Sequence, residues 1–302
     1  MPVPPAPIPL AVARAAGVLP SGAMAFEPKL DGWRCCAHVP DGVLHTRRST
    51  DITSRFPEVL DAARTLGQVV LDGELVAYQD GRLVFEPLMW GRRRREAEGV
   101  SLALVVFDLI AARGRDLRNL PYQERRARLA RLLQGRTGGV QLMDSSTERA
   151  RGAAWIAERY ADVGIEGTVA KPLASRYPTR GGPAGWVKVK FRQEVDAVVL
   201  GVTGSLNSPT SLVLADIDDA GDVRAVGLST TLPAGIRSAL AGRLRPAGVL
   251  RHAAGIVAGL GVPDLDYQPV APGIVVEVRT DGSAEWGAFR HRLTPVRVKP
   301  DL

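Results

Sequence analysis

Residues 27–34 place one lysine, two carboxylates and one arginine within eight positions, in the string Glu-Pro-Lys-Leu-Asp-Gly-Trp-Arg. Arginine stays protonated and cannot attack as a free base, whereas a lysine amine whose pKa is lowered can do so. Of the 39 lysine and arginine residues, only five are lysine: Lys29, Lys171, Lys188, Lys190 and Lys299. Each lysine is therefore a candidate for chemistry, and Lys29 has the densest charged surroundings.

Four further charged clusters fall on predicted strands: Asp72-Gly73-Glu74, Phe107-Asp108, residues 166–171 and residues 186–190. In the last cluster, Lys188 and Lys190 are two residues apart, so on a strand both side chains project from one face. Two neighbouring ammonium groups repel each other, and this arrangement suits a shared anion such as a phosphate. The alternative is an exposed edge strand protected by lysine. Each cluster taken singly is a weak signal.

Short strands are the elements that would position these residues in the first part of the chain. Strands are predicted over residues 24–28, 33–39, 43–47, 69–71, 75–77, 102–109, 167–171 and 185–191, and helices over 56–66, 121–133 and 153–163. The pair Asp41-Gly42 predicts a hairpin turn. Residues 92–95 are four arginines in a predicted polar loop, where they are either solvated or in contact with a phosphate backbone.

After residue 192 the pattern changes to short strands separated by turns. Strands are predicted over residues 195–202, 211–217, 223–228 and 273–279, with one helix over 234–244, which indicates a small barrel-like domain. Residues 1–192 carry 29 lysine and arginine residues against 20 acidic ones, whereas residues 193–302 carry 10 against 12. The positive charge that suggests a polyanionic partner therefore lies in the first part.

Composition excludes several classes of protein. The 302 residues are 45% hydrophobic and 24% charged with a net charge of +7, as in a soluble globular protein. No apolar run is long enough to span a bilayer and the N-terminus lacks the features of a signal peptide, so we expect a cytoplasmic protein without membrane contact. Cys35 and Cys36 would point to opposite faces of a strand, which argues against a disulfide. His38, His45 and His252 have no metal-ligand spacing.

Taken together, in this order and spacing, the clusters resemble the nucleotidyltransferase motifs of ATP-dependent DNA ligases, RNA ligases and mRNA capping enzymes. The chain is most similar to ATP-dependent DNA ligases, and among them to the compact bacterial, actinobacterial-type enzymes of end joining and repair, over residues 9–301. The resemblance implies an α+β fold. Residues 1–192 would form an adenylation (nucleotidyltransferase) domain with ATP-grasp-like antiparallel sheets and helices, and residues 193–302 a small OB-fold β-barrel domain.

The resemblance also implies a reaction and its partners. The enzyme would seal nicks between a 5′-phosphate and a 3′-hydroxyl in duplex DNA through a covalent lysyl-AMP, releasing AMP and pyrophosphate. ATP would be the nucleotide, with Mg²⁺ or Mn²⁺ as the metal. Nicked duplex DNA is the expected partner of a monomeric enzyme, together with a separately encoded repair polymerase or nuclease.

Each matching residue receives an implied role. Lys29 would be the catalytic lysine that becomes adenylylated, and Lys188 and Lys190 the catalytic lysines at the α-phosphate. Glu74 and Glu166 would be metal ligands, since carboxylate oxygens suit Mg²⁺. Contacts to the nucleotide are implied for Glu27, Arg34, Arg47, Glu74, Phe107, Val169, Lys188, Lys190, Arg297 and Lys299.

Within that set, Glu27 would lie beside the adenine, Phe107 would stack on it and Val169 would pack under it. Arg34 would contact the ribose and phosphates. In the second domain, residues 263–265 and 275–279 resemble an OB-domain segment, and residues 290–301 resemble the last motif. Lys299 stands where an arginine is usual, which keeps the charge but loses the bidentate fork. We therefore expect weaker activation of ATP rather than its loss.

Two other functions remain open from the sequence. One is an RNA ligase or a GTP-using capping enzyme of the same superfamily, against which Glu27 and the OB-like pattern favour ATP and DNA. The other is a non-enzymatic nucleic-acid-binding module, which the basic first part and the OB-like second part would support. The presence of all five lysines inside motifs argues against the binding module.

Overall fold

The computed structural model describes residues 2–217, 223–252, 266–280, 284–285, 288–289 and 292–299. The chain divides into two compact units, Met1–Phe191 and Arg192–Leu302. The assignment of residues 1–192 to adenylation and of 193–302 to an OB fold stays a prediction. Residues 263–265, 290–291 and 300–301, which carried part of the resemblance, lie outside the described residues.

The first unit consists mainly of strands with short helices between them. Its strands are β1 (Ala11–Ala15), β2 (Met24–Leu30), β3 (Trp33–His38), β4 (Val43–Thr46), β5 (Val69–Gln79), β6 (Arg82–Val84), β7 (Ser101–Ala112), β8 (Arg115–Asp116), β9 (Val140–Leu142), β10 (Ile165–Pro172) and β11 (Gly182–Lys190). Its helices are α1 (Pro57–Arg64), α2 (Arg92–Ala97), α3 (Tyr122–Leu133), α4 (Arg149–Ala154) and α5 (Glu158–Ala161), with 3₁₀ turns at Thr53–Arg55 and Glu86–Met89.

The strands of this unit form two sheets. Sheet I has the order β1-β11-β10-β2, and sheet II has the order β4-β3-β5-β7-β8, with β6 on β5 and β9 on β7. Most neighbours are antiparallel, but β1 runs parallel to β11 and β9 runs parallel to β7. The expectation of antiparallel sheets is wrong at these two strands, because each sheet gains one parallel strand from a distant part of the chain. Both sheets are therefore mixed.

Alternation of side chains along the strands sorts the apolar residues into layers. One face of sheet II, which includes Cys35, packs on α1 and α3. Its other face, with Cys36 and Phe107, packs against Trp186 of sheet I. The outer face of sheet I packs on Trp155 after α4. The prediction that Cys35 and Cys36 lie on opposite faces is confirmed, and both are free and buried. The space between the two sheets is where the candidate residues meet.

An N-terminal strap, residues 4–15, runs over sheet II before it joins sheet I as β1. Two buried histidines of β3 and β4 hold it. Nε2 of His38 donates to the carbonyl of Pro4 at 2.8 Å, and Nε2 of His45 accepts from the amide of Ile8 at 3.1 Å. Both rings are 1% exposed. Because its backbone polar groups find these partners, the strap reaches sheet I in a fixed position.

Three local predictions for this unit are wrong. Residues 92–95 belong to α2 rather than to a loop. Arg95 is 2% exposed, and its guanidinium donates to the carbonyls of Trp90 at 2.6 Å and Arg55 at 3.2 Å. Residues 153–163 are not one helix, because the chain is extended at Ala157 between α4 and α5. Residues 72–74 do not interrupt β5, since they pair with both β3 and β7.

The second unit is also built mainly from strands in its described parts. These are β12 (Gln193–Ser205), β13 (Ser208–Ile217), β14 (Val223–Leu228), β15 (Arg251–His252), β16 (Asp266–Pro269), β17 (Val275–Thr280), β18 (Ala284–Glu285), β19 (Ala288–Phe289) and β20 (Thr294–Val298). The helix α6 (Ala234–Leu240) is shorter than predicted and buries Ile236 and Leu240.

Five of these strands close into a ring. β12 pairs with β13 and β17, β13 continues to β14, and β17 continues to β20. Ser229, next to β14, then bridges Leu293, next to β20, and the amide of Leu293 donates to the carbonyl of Leu228 at 3.0 Å. The ring surrounds an apolar core to which α6 contributes. No helix in the described parts of the chain is long and apolar enough to cross a membrane.

Candidate active site

A cavity of about 190 Å³ lies in the first unit, at the inner layer between sheets I and II. Eight residues predicted to act on a nucleotide line it: Glu27, Lys29, Arg34, Arg47, Glu74, Phe107, Val169 and Lys188. Residues of the strap complete the wall, since Ala11, Val12 and Ala13 of β1 also line the cavity. Positions between 11 and 188 along the chain are thus brought to one place.

Strand register arranges three of these residues in one row of sheet I. Val169 of β10 lies opposite Glu27 of β2 on one side and opposite Lys188 of β11 on the other. Side chains that lie opposite one another on adjacent strands share a face of the sheet. The row therefore presents a carboxylate, a small apolar side chain and an ammonium group to the cavity, in that order.

Lys29 lies at the end of β2 and forms a short salt bridge with Glu166. Lys190 is bound to the same carboxylate, with its Nζ 3.2 Å from Oε2 of Glu166. Two glycines allow neighbouring backbone segments to pack closely at this site. A Cβ on Gly32 would lie 2.4 Å from the carbonyl of Leu75, and one on Gly167 would lie 2.2 Å from the carbonyl of Val189. Glycine in each motif therefore lets the backbone come close enough to bring the charged side chains together.

Several cations lie close to the carboxylate of Glu166. The pKa of Lys188 is lowered, first by partial burial and then by the positive charges of Lys29, Lys190 and Arg47. Glu166 opposes this shift. A site in which three neighbouring cations act against a fourth gains most from a polyanion, because its phosphates would relieve the repulsion. The site is therefore suited to a chain of phosphates.

Arg34 is fixed by a buried carboxylate of β5. Its Nε and Nη2 lie 2.6 Å from the two oxygens of Asp72, and the hydroxyl of Tyr177 donates to Asp72 at 2.6 Å. The guanidinium carbon is 4.6 Å from the ring centre of Phe107 and 5.6 Å from that of Trp186. The arginine is thus oriented over the aromatic side chains that line the cavity, and it is not free to follow a ligand.

Glu27 is held at both of its oxygens. The hydroxyl of Tyr122 donates to Oε1, and Nζ of Lys171 lies 2.5 Å from Oε2. Glu27, Lys171 and Tyr122 are all buried, at 2%, 1% and 0% exposure. Sequence reasoning assigned no role to Lys171, Tyr122 or Trp186. The rarity of lysine singled out Lys171, but nothing in the spacing pointed to Tyr122.

Glu74 lines the cavity beside Arg34, its partner in the β3–β5 register. Burial raises the pKa of Glu74 to about 7, although Lys29 and Arg34 act against the shift. No group of three or more His, Cys, Asp or Glu residues that could hold a metal occurs within the described residues. Glu74 and Glu166 still fit Mg²⁺, since this ion binds through one or two carboxylates together with substrate phosphates.

Two residues of the second unit are predicted to contact the nucleotide. Arg297 lies in β20 and Lys299 directly after it. Arg297 donates to Glu277 at 2.8 and 3.2 Å, and Nζ of Lys299 lies 2.6 Å from Asp196. Both pairs lie within the second unit, and each joins an exposed residue, Arg297 or Asp196, to a partly buried one. The contact of Arg297 and Lys299 with a nucleotide stays a prediction.

Comparison with known proteins agrees with this fold. The ligase domain of LigD from M. tuberculosis superposes with a TM-score of 0.53 at 26% identity, covering 96% of this chain and 95% of that one. The chain therefore shares the mixed-sheet fold of a ligase structure. A family model described as ATP dependent DNA ligase domain matches residues 10–190. The chain belongs to the ATP-dependent DNA ligase domain family.

Two curated relatives show how far the similarity extends. DNA ligase C1 of Mycolicibacterium smegmatis is 30% identical over 306 residues, which cover 93% of this chain and 86% of that protein. The multifunctional non-homologous end joining protein LigD of Pseudomonas aeruginosa is 35% identical over 196 residues, covering 61% of this chain. The match spans 22% of that longer protein.

Proposed function

We propose that the protein is an ATP-dependent DNA ligase that seals nicks in duplex DNA through a covalent lysyl-AMP at Lys29. The observation that supports this most directly is the position of Lys29 at a cavity with two different ends. One end offers Glu27, Phe107 and Val169, which suit a base, and the other offers a cluster of cations, which suits phosphates. Lys29 lines the cavity, pairs with Glu166 and is itself one of these cations, so it is placed to attack a phosphorus that they bind.

In the first step the neutral amine of Lys29, after loss of a proton to solvent, attacks the α-phosphorus of ATP. A bond from nitrogen to phosphorus forms, and the bond from phosphorus to the pyrophosphate oxygen breaks. Lys188 and Lys190 bind the α-phosphate and stabilise the negative charge that develops on its oxygens. Arg47 adds positive charge on the same side of the cavity.

At the base end, Phe107 and Val169 provide apolar surfaces for the two faces of the adenine. Glu27 accepts a hydrogen bond from its amino group, and Arg34 is fixed by Asp72 to contact the ribose and phosphates. Glu74 and Glu166 would hold Mg²⁺, which when bound neutralises charge on the phosphates. Glu166 would exchange its contacts with Lys29 and Lys190 for the metal as the nucleotide enters.

In the second step the AMP group passes from Lys29 to the 5′-phosphate at the nick, and the nitrogen–phosphorus bond breaks. In the third step the 3′-hydroxyl loses its proton and attacks this activated phosphate, so that the phosphodiester bond forms and AMP leaves. We propose that the second unit is an OB-fold domain, which its ring of five strands supports. Arg297 and Lys299 would orient the pyrophosphate of ATP in the first step.

We further propose a role in DNA repair. One relative that supports this role is named as a multifunctional non-homologous end joining protein. A polymerase or nuclease encoded separately would then act on the same DNA before sealing. Nicked duplex DNA is the proposed substrate because the described fold is that of DNA ligase relatives and the first part of the chain carries the excess positive charge.

Incubation with ATP labelled at the α-phosphate and Mg²⁺ tests the first step. We expect covalent label that survives denaturation in alkali on the wild-type chain and none on Lys29→Ala, while Lys299→Ala, which retains the nucleophile, still accepts label at a reduced rate. Label on Lys29→Ala at the wild-type level would place the nucleophile elsewhere. Label on neither protein would contradict the enzyme and favour a binding module.

A panel of nicked duplexes tests the later steps. Substrates that carry DNA or RNA on either side of a 5′-phosphorylated nick distinguish a DNA ligase from an RNA ligase. We expect sealing when both strands are DNA. Sealing that requires RNA at the nick would favour the RNA ligase, and labelling by GTP instead of ATP would favour the capping enzyme.

A further inference from the structure

We propose that Lys171 is a positioning residue that makes the candidate site selective for a 6-amino purine by holding Glu27 as a charged acceptor. This inference rests on the proposed function, since it concerns the base of the same nucleotide. It adds a residue to which the mechanism above gives no part.

Lys171 lies in the first unit, where its ammonium group contacts a carboxylate and two aromatic rings. Nζ lies 2.5 Å from Oε2 of Glu27, 3.9 Å from the ring centre of Phe107 and 4.2 Å from that of Trp186. The two rings meet at 86° with their centres 6.1 Å apart. An ammonium group can contact two perpendicular rings and a carboxylate at once, since its three N–H groups point in different directions. The planar guanidinium of arginine cannot do so equally well.

This arrangement explains why an arginine-rich chain uses lysine at a buried position. A buried carboxylate without a cation would cost several kcal/mol or would take up a proton. Burial lowers the pKa of Lys171, and the negative charge of Glu27 acts against that shift. The ammonium group of Lys171 and the carboxylate of Glu27 are in direct contact, so each compensates the charge of the other.

A charged Glu27 has consequences for the base that binds next to it. An ionised carboxylate only accepts hydrogen bonds. It can accept from the 6-amino group of adenine, whereas it repels the 6-oxo group of guanine or hypoxanthine. Tyr122 fixes the other oxygen of Glu27, and the pKa of this phenol is raised well above its ordinary value by burial and by Glu27, so it stays a donor. Discrimination against the 6-oxo group thus depends on the charge that Lys171 supplies.

Equilibrium binding of ATP and of inosine triphosphate tests the inference. The two nucleotides differ at position 6, where inosine triphosphate carries an oxygen, and at the adjacent N1, which carries a hydrogen in inosine triphosphate but not in ATP. Measurements in the Lys29→Ala background prevent covalent transfer, so they report binding alone. We expect ATP to bind at least about tenfold more tightly than inosine triphosphate. Lys171→Met should bring this ratio close to one, mainly through weaker binding of ATP.

Two matched variants separate charge from shape. Lys171→Met keeps the length of the side chain without its charge, and Lys171→Arg keeps the charge with a larger head. If the charge of Lys171 sets selectivity, the preference for ATP over inosine triphosphate should be larger in the arginine variant than in the methionine variant. If Lys171 only fills space, the order is reversed and the inference is overturned. Lys190→Met, at the phosphate end, should weaken both nucleotides equally and leave the ratio unchanged.

Folding is checked by thermal unfolding of each variant. Should Lys171→Met fail to fold, Lys171→Gln tests the same point, because it keeps a polar side chain but carries no charge. A wild-type ratio in that variant would overturn the inference. If neither nucleotide binds even with Lys171 in place, the proposed function itself fails. If ATP binds but the ratio does not respond to Lys171, only the inference fails.

Discussion

Asp72 shows how one buried residue serves a neighbour that could contact a ligand. It is fully buried, it binds Arg34 through both of its oxygens, and it accepts a hydrogen bond from Tyr177. Arg34 in turn lies over Phe107. The sequence indicated Asp72 only as the residue leading into Glu74, whereas its contacts show that it fixes the arginine of the first motif.

Asp72→Asn should therefore destabilise the protein by about 3–5 kcal/mol, because it removes one charge of a buried ion pair and leaves the other without compensation. Urea unfolding measures the loss. Asp61→Asn is the matched control, since its pair with Arg64 is exposed at both partners, and it should cost no more than about 1 kcal/mol. Equal losses for the two variants would show that Asp72 does not hold Arg34.

Sequence reasoning found the residues of the site more readily than their partners. Lys29, Lys188 and Lys190 could be singled out because lysine is rare in the chain and because position on a strand fixes the face. Tyr122 could not be found, since its contact with Glu27 joins residues 95 positions apart and depends on how α3 packs. Long-range contacts of this kind leave no periodic signal in a single sequence.

At the scale of elements, α2 shows how identical residues acquire different roles. From the sequence, one environment is predicted for all four arginines at 92–95, but in the short helix their side chains have different environments. Arg95 is buried against carbonyl groups, Arg92 pairs with Glu96, and Arg94 lies 3.9 Å from the ring centre of Trp90. A run of one residue type has no periodicity from which the buried member could be identified. Arg95 is the buried arginine because α2 packs with this residue beside Glu58 of α1.

We expect Arg95→Met to lower the free energy of unfolding by about 1–3 kcal/mol, because buried carbonyl acceptors lose their donor. DNA affinity should change little if Arg95 has this structural role alone. Arg93→Met, at an exposed position of the same helix, should leave stability unchanged. Chemical denaturation and fluorescence anisotropy with a nicked duplex check both points. A stable Arg95→Met protein with weakened DNA binding would instead indicate a phosphate contact.

The strap is a second element whose stability depends on particular side chains. Nε2 of His45 accepts from Ile8, which requires a neutral ring, and burial lowers the pKa of His45 despite the nearby carboxylates of Asp72 and Asp51. Protonation is therefore easier in the unfolded chain, where the pKa is about 6.5. The contribution of His45 to stability is complete above this pH and is lost as the pH falls below it.

Urea unfolding between pH 8 and pH 5 tests this dependence. We expect the free energy of unfolding to decrease below pH 6.5, and His45→Asn should show a smaller decrease over the same interval. The variant serves as its own control at pH 8, where any difference reflects packing alone. Parallel pH profiles for the two proteins would mean that His45 does not couple the strap to pH.

At the scale of the whole molecule, charge is distributed unevenly along the chain. Residues 1–192 carry an excess of nine positive charges, and residues 193–302 an excess of two negative ones. Much of the negative charge in the described part of the second unit is paired locally, as in the pairs of Glu194 with Arg279 and Glu277 with Arg297. Attraction for DNA phosphates should therefore come mainly from the first unit.

Binding to nicked duplex DNA should be strongly dependent on salt. If about four phosphates are contacted, the affinity should fall by about 100-fold between 50 and 200 mM monovalent salt. Fluorescence anisotropy of a labelled duplex at several salt concentrations measures the slope. An affinity that does not change over this range would show that phosphate contacts contribute little to the binding of DNA.

The row Glu27–Val169–Lys188 also fixes the distance between the two ends of the cavity. Neighbouring strands lie about 4.8 Å apart, so the backbone places Glu27 and Lys188 about 10 Å from each other, and hydrogen bonds on both sides of β10 keep this spacing constant. If one end reads the base and the other binds the α-phosphate, the sheet sets the length of the sugar that joins them. Analogues whose base and phosphate are separated by a shorter or longer linker would satisfy one end only, whatever their charge.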